Sequence, residues 1–294
     1  AITELGSIAL VDSDPMDSKL RRGRVLFNSS NPDKYPELAS SPQATCQACH
    51  PHGGTDGAGW PTVEGERRTI GLWGGTGGRG WLHYSGTHAS AEEFATIIVE
   101  ERLGGTGLSP ADVDALASYT AWAIPEVQRP VVDETLAAAG KVLFETHCQG
   151  CHSGDKFGSG APAADHPYGG AAIDSLPGVF DVGTATDNAH IMIGPAFTAL
   201  FATPTKNLFE AMRGDRSLGA DDEVQQVLGY TARPERQRGF FKAPSLVNVW
   251  ENPCYFHDGR FAELREVVDY FDTWLALGLE QADRDALVEY LKTL

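Results

Sequence analysis

Two short stretches of the chain carry the same order of apolar and polar positions. In Gly23-Arg24-Val25-Leu26-Phe27 and again in Gly140-Lys141-Val142-Leu143-Phe144, a glycine and a basic residue lead into three apolar side chains. A longer pattern also recurs: Ala111-Asp112-Val113-Asp114-Ala115-Leu116-Ala117-Ser118-Tyr119 is mirrored by Ala282-Asp283-Arg284-Asp285-Ala286-Leu287-Val288-Glu289-Tyr290. Apolar residues three and four apart line one face of a helix, so all four stretches predict amphipathic helices. Asp or Ser ahead of the apolar run marks the start of each closing helix, with Ser109-Pro110 as N-cap and first-turn residue in the first copy. An opening helix and a closing helix therefore occur twice.

Pro125 and Pro130 interrupt helix between Ile124 and Val132, which marks a linker and two units, 1–128 and 129–294. The units differ in their insertions. Residues 28–45, with the turn-rich Asn28-Ser29-Ser30-Asn31-Pro32-Asp33, follow the first opening helix, whereas the second is followed by only 145–147 and then by a Gly-, Pro-, Ala- and Asp-rich loop over 153–240. Within that loop Leu200-Phe201 and Leu208–Arg213 read as short helical pieces. A loop of this length inside a compact domain is usually functional or packs over a ligand. The expected fold is mainly α, two tandem helical modules with long irregular loops and little β.

The chemistry lies just after each opening helix. Cys46-Gln47-Ala48-Cys49-His50 and Cys148-Gln149-Gly150-Cys151-His152 are two copies of C-x-x-C-H, the pentapeptide that attaches c-type haem. Two thiols three residues apart can add to the two vinyl groups of one porphyrin, and the adjacent His then reaches the iron from the same side. The motifs predict two covalently bound haems, held by Cys46, Cys49, Cys148 and Cys151, with His50 and His152 as proximal iron ligands. A zinc knuckle would want its second ligand pair nearby, and a redox dithiol needs no adjacent His. An opening helix, a C-x-x-C-H and a closing helix together make a cytochrome c-like module. The fifth cysteine, Cys254, sits among aromatic residues and reads as a buried small hydrophobe.

Composition adds three constraints. The formal net charge of -17 over 294 residues argues against a nucleic-acid partner and suits either a basic redox protein partner or solubility alone. No run of about 20 apolar residues occurs, so no transmembrane segment is expected. Ala1-Ile2-Thr3-Glu4 lacks the basic-then-apolar pattern of a signal peptide, and covalent haem attachment normally follows export. A processed chain in the periplasm, or otherwise exported, reconciles the two.

From Phe240 onward, Phe240-Phe241-Lys242-Ala243-Pro244-Ser245-Leu246 and Tyr255-Phe256-His257-Asp258-Gly259-Arg260-Phe261 resemble the second haem domain of bacterial di-haem cytochrome c peroxidases and the related MauG enzymes. With both haem motifs the likeness covers most of the chain. The resemblance implies a Trp between the haems that carries electrons, a position that falls on Tyr84 in His83-Tyr84-Ser85-Gly86. It also implies a distal Glu that moves a proton across peroxide, near Gly104, with Glu100 and Glu101 just upstream. The family's Met or Tyr iron ligand falls at Phe271, which cannot ligate, with Tyr270 one residue earlier.

Distal-ligand candidates for the second haem are Tyr270, Met192, His190 and Met212, and for the first His83, His88 and His52, with His83 preferred. His257 suits a structural or haem-edge role. Calcium between the domains is a further family feature; Asp155, Asp174, Asp181 and Asp187 are available, and no site is assigned. Two functions follow: an enzyme in which one haem reacts with hydrogen peroxide while the other passes electrons, or a pure electron carrier without peroxidase activity. A third, oxidative modification of a bound protein, needs an interface.

Overall fold

The computed structural model describes residues 13–29, 31–41, 45–62, 65–79, 82–84, 88, 90–158, 179–181 and 240–294. His190, Met192, Met212, Asp174, Asp187, Gly86 and the helical pieces expected over 200–213 lie outside them.

The four helices expected from the apolar pattern form. Helix α1 (Ser18–Asn28) starts at Asp17, whose carboxylate accepts from the amides of Lys19 and Leu20. One turn, α2 (Cys46–Cys49), carries the first haem motif. Strands β1 (Gly59–Thr62) and β2 (Gly65–Arg68) pair antiparallel as a hairpin. Helix α3 (Ala91–Ile97) runs on into a π-helical turn over Ile98–Arg102. The closing helix α4 (Pro110–Trp122) is capped by Ser109, whose hydroxyl accepts from the Asp112 amide.

In the second half, α5 (Glu134–His147) starts at Asp133 and ends against the second motif. Strands β3 (Val179–Asp181) and β4 (Phe240–Lys242) pair antiparallel, α6 spans Leu264–Trp274, and α7 spans Gln281–Leu291. The cap of α7 differs from expectation. Glu280, not Asp or Ser, is its N-cap, because the Glu280 carboxylate takes the first-turn amide while Asp283 accepts from the Glu280 N–H. Among the described residues helices dominate, the two antiparallel strand pairs are the only strands, and no helix is long and apolar enough to cross a membrane.

The sequence repeat is a repeat of packing. Helix α1 crosses α4 and α5 crosses α7, each through a glycine pressed against the partner's backbone. A Cβ at Gly23 would lie 2.0 Å from the Ala115 carbonyl oxygen, and one at Gly140 would lie 1.9 Å from that of Ala286. Beside each crossing an equivalent aromatic pair meets at nearly the same angle. Phe27 and Tyr119 are 5.5 Å apart at 57°, Phe144 and Tyr290 5.2 Å apart at 56°. Each crossing seeds its own core, one around Leu26, Leu38, Val99 and Leu116, the other around Phe144, Leu264, Val268 and Leu287.

Between Trp122 and Glu134 the backbone is not helical. This stretch is pinned by Asn248, which is buried and left-handed at φ 52°. Its side-chain amide donates to the Val127 carbonyl at 3.0 Å and accepts from the Val127 N–H at 3.1 Å, while its own N–H donates to Leu294 at 2.8 Å. A second junction joins β2 and residues 82–84 to the stretch from β4 to Phe261. There the Arg68 N–H donates to the His257 carbonyl at 2.6 Å and the Lys242 N–H to the Tyr84 carbonyl at 2.7 Å.

Candidate functional site

Both C-x-x-C-H motifs fold into the same local device. The His50 N–H donates to the Cys46 carbonyl at 2.8 Å and the His152 N–H to the Cys148 carbonyl at 3.0 Å, so each His follows one tight turn bearing two thiols. Thr45 fixes the first turn to α1 through a hydroxyl bond to the Phe27 carbonyl at 3.0 Å. The second turn continues directly from α5, with the Cys148 N–H on the Phe144 carbonyl at 2.8 Å.

Each imidazole is oriented through Nδ1. In His50 it faces the Gly54 carbonyl at 3.2 Å, and in His152 the carbonyls of Phe157 at 2.9 Å and Pro244 at 3.1 Å. Facing carbonyls, Nδ1 must carry the proton, which leaves Nε2 with its lone pair exposed for a metal. Burial lowers the pKa of both rings from the ordinary histidine value, which favours the neutral form that ligates. Burial also pushes Cys46 up to about 12 and Cys49 and Cys148 up to about 11. Among the described residues no group of three His, Cys, Asp or Glu side chains could hold a metal ion.

His50 opens onto a cavity of about 300 Å³, within the range of roughly 300–1,000 Å³ that cofactor sites occupy. Its walls come from both halves: Cys46, Cys49 and Leu116 on one side of the chain division, Lys242, Pro244 and Ser245 on the other. The lining is mostly apolar, but Arg67, Arg68, Arg79 and Lys242 also border it, and all four are buried. In a chain of net charge -17 this is an unexpected concentration of cations.

Arg79 is held by donation to the carbonyls of Gly71, at 2.8 Å, and Trp73, and Arg68 by donation to the Pro253 carbonyl at 3.1 Å. Among the described residues no carboxylate pairs with Arg68, Arg79 or Lys242, and the Nε atoms of both arginines are buried without a hydrogen-bond partner. Desolvation lowers Arg79 to about 10, and desolvation with repulsion from Arg79 lowers Lys242 to about 7. A porphyrin with two carboxylate arms fits such a space: apolar walls for the ring, thiols and an imidazole at one end, and, for the acids, cations with no ion-paired carboxylate among the described residues. The second motif opens onto a smaller space of about 210 Å³ bordered by Phe144, His152, Phe157 and Tyr290.

The structure gathers some of the sequence-predicted residues and not others. Tyr84 and His83 both border the His50 cavity. Tyr84 is buried, and its hydroxyl donates to the Phe256 carbonyl at 3.3 Å, across the junction of the halves. His83 is left-handed at φ 70° and packs 6.3 Å from the Phe94 ring. His88 is buried behind it, with Nδ1 4.0 Å from a Glu93 oxygen, and does not border the cavity. His52 is exposed, left-handed at φ 55°, and does not border the cavity.

Glu100 is exposed and lies over Gly107, away from the cavity, while its helix neighbours Ile98 and Val99 face in. Glu101 lies in the same π-helical turn. Tyr270 packs among Phe256, Phe261 and Phe271 and stacks on Trp274 at 10°, not beside His152. His257 stacks on Phe241 at 4.2 Å, and Arg67 covers that ring from 5.2 Å. Asp155 is exposed, and Asp181 lies in β3.

The cations were missed in the sequence. Arg67-Arg68, a basic pair in an acidic chain, and Lys242, inside a motif already singled out, were the available signals.

Solved structures share this fold. A MauG-like protein associated with microbial copper homeostasis aligns with a TM-score of 0.58 at 16% identity, over 97% of this chain and 91% of that one. Hydrazine synthase of Kuenenia stuttgartiensis aligns with a TM-score of 0.57 at 20% identity, over 96% of this chain and 89% of that one. No family model and no curated protein sequence matches. The fold shared with these two proteins is mainly helical, with little strand among the described residues.

Proposed function

We propose that the chain is a di-haem c-type redox protein, with haem attached through Cys46 and Cys49 to one half and through Cys148 and Cys151 to the other, and that it passes electrons between the two. One observation carries this reading. Each motif turns its His so that Nδ1 faces backbone carbonyl oxygen and Nε2 stays available, and this recurs in two helical modules packed against each other. Bound haem would supply a one-electron centre at each site and, where the sixth position is open, a place for peroxide to react. The chain's own contribution is to fix each imidazole, exclude water with apolar walls, and set Tyr84 between the halves. Attachment by export-linked maturation makes the periplasm the expected compartment, and the acidic surface suits a basic redox partner.

His83 divides the two functional readings. As an iron ligand it closes the first site and leaves an electron carrier; as a base in the cavity, not bound to iron, it can move a proton during peroxide reduction. The carboxylate-free lining, among the described residues, and the outward Glu100 favour the carrier. Electron paramagnetic resonance of the resting protein tests this. Two low-spin signals that ignore added peroxide support the carrier; a high-spin signal lost on adding peroxide, with turnover of a reduced small cytochrome, replaces it with the peroxidase. Absence of covalent haem on denaturing gels refutes both.

A further inference from the structure

Three buried cations, with no carboxylate paired to them among the described residues, face one cavity, and they do not come from one half of the chain. Arg68 and Arg79 belong to the first half and Lys242 to the second, where it ends β4. Each is more than nine-tenths buried, and each borders the space onto which His50 opens. Burying an unpaired charge is costly, and bringing like charges together adds repulsion. The chain nevertheless invests in positioning them. Arg79 is clamped by two backbone carbonyls, Arg68 by the Pro253 carbonyl from across the junction, and the Lys242 backbone by Tyr84. An anion of more than one charge placed between its members would offset both costs.

We propose that Arg68, Arg79 and Lys242 form a carboxylate clamp for the two propionate groups of the first haem, built from both halves of the chain, so that seating this cofactor and docking the second half are a single event. The proposal rests on the reading of Cys46, Cys49 and His50 as a haem attachment site. Arg suits this task because its planar fork holds a carboxylate by two bonds, and Lys adds a compact charge from the opposite wall. Lys242 is a positioning residue here: it acts through the propionate, and the link it makes is between modules.

The test compares haem-loaded Lys242→Met with Lys242→Arg and with Lys19→Met, a surface control. Two quantities are read: the propionate bending bands in resonance Raman spectra, and the rate of limited proteolysis within 124–132. Lys242→Met is expected to shift a propionate band and raise cleavage by about tenfold, the loss of one charge-assisted hydrogen bond. Lys242→Arg should retain the native band and cleavage rate, and Lys19→Met should change neither. Should the methionine variant not accumulate, Lys242→Gln removes the charge at similar polarity and is read the same way. Unchanged bands and cleavage in the neutral variant, or equal changes in Lys242→Arg, overturn the clamp. Mass spectrometry of the peptide carrying Cys46 and Cys49 separates the two failures: a peptide without haem refutes the attachment reading, whereas a haem peptide with unmoved bands refutes the clamp alone.

Discussion

Replacing Gly140 by Ala sets two well-founded expectations against each other. In an isolated helix the change is favourable by about 1 kcal/mol, because Ala orders its backbone at lower entropic cost. In this fold the new Cβ would stand 1.9 Å from the Ala286 carbonyl oxygen and 2.9 Å from the Tyr290 Cβ. A carbon and a carbonyl oxygen normally approach to about 3.3–3.6 Å, so α5 and α7 would have to part by more than about 1 Å. Over-packing of this kind typically costs about 1–3 kcal/mol, and here the crossing also holds together Phe144, Leu287 and Leu291. A backbone oxygen cannot swing aside as a side chain can, so the upper end of that range applies. Net of the propensity gain, Gly140→Ala should destabilise the second half by about 2 kcal/mol. Hydrogen exchange of the α5 and α7 amides against the unaltered chain measures this locally, without requiring both halves to unfold together. Equal or slower exchange in Gly140→Ala would refute the close crossing. Gly23→Ala offers an internal replicate, since its Cβ would lie 2.0 Å from the Ala115 oxygen.

Four further outcomes are expected. Asp112→Asn removes the carboxylate fork that Arg22 grips at 2.7 and 2.9 Å, at a cost of about 0.5–1 kcal/mol in denaturant titration. Arg22 holds the Asp112 pKa below the ordinary carboxylate value, so that stability is present above about pH 4 and its difference from Asp112→Asn fades as pH falls further. Lys242 gives the opposite dependence in the haem-free chain. With its folded pKa lowered to about 7, the unfolded chain binds more protons above that pH, so thermal stability rises from pH 7 toward 10 and does so less in Lys242→Met. Tyr84→Phe should slow inter-haem electron transfer in flash photolysis while costing no more than about 1 kcal/mol of stability, the worth of its bond to Phe256. His83→Ala should change the spin state of one haem only, read by electron paramagnetic resonance.

Local information was legible in the sequence where a short pattern fully specifies a geometry. The apolar repeats placed α1, α4, α5 and α7, because residues three and four apart leave little freedom in which face is buried. C-x-x-C-H located both imidazoles, because a turn of four residues fixes the thiols and the His together. The glycine in each opening stretch was visible as a repeat, but its role depends on a carbonyl more than 90 positions away. The far side of each site was harder for the same reason. Tyr270 sits one residue before the register where a ligand is expected, and Phe256, Phe261 and Phe271 surround its ring, a contact that no local pattern encodes. Glu100 and the inward-facing Val99 are adjacent, so an error of one residue on a helix decides which reaches the cavity. The cation cluster joins residues from 67 to 242, and only tertiary packing reveals that they face one space.

Asn248 has a consequence for the kinetics of the whole molecule. Modules joined by a proline-bearing linker ordinarily move relative to each other, and electron exchange between their centres then waits on diffusion of one toward the other. Here a buried amide pairs with both polar groups of Val127, as a neighbouring strand would, and so fastens the tether to the body it connects. With haem bound at both motifs as proposed, the separation of the two centres would be a constant of the fold. Transfer between them should be indifferent to solvent viscosity, and added glycerol or sucrose should leave its rate unchanged.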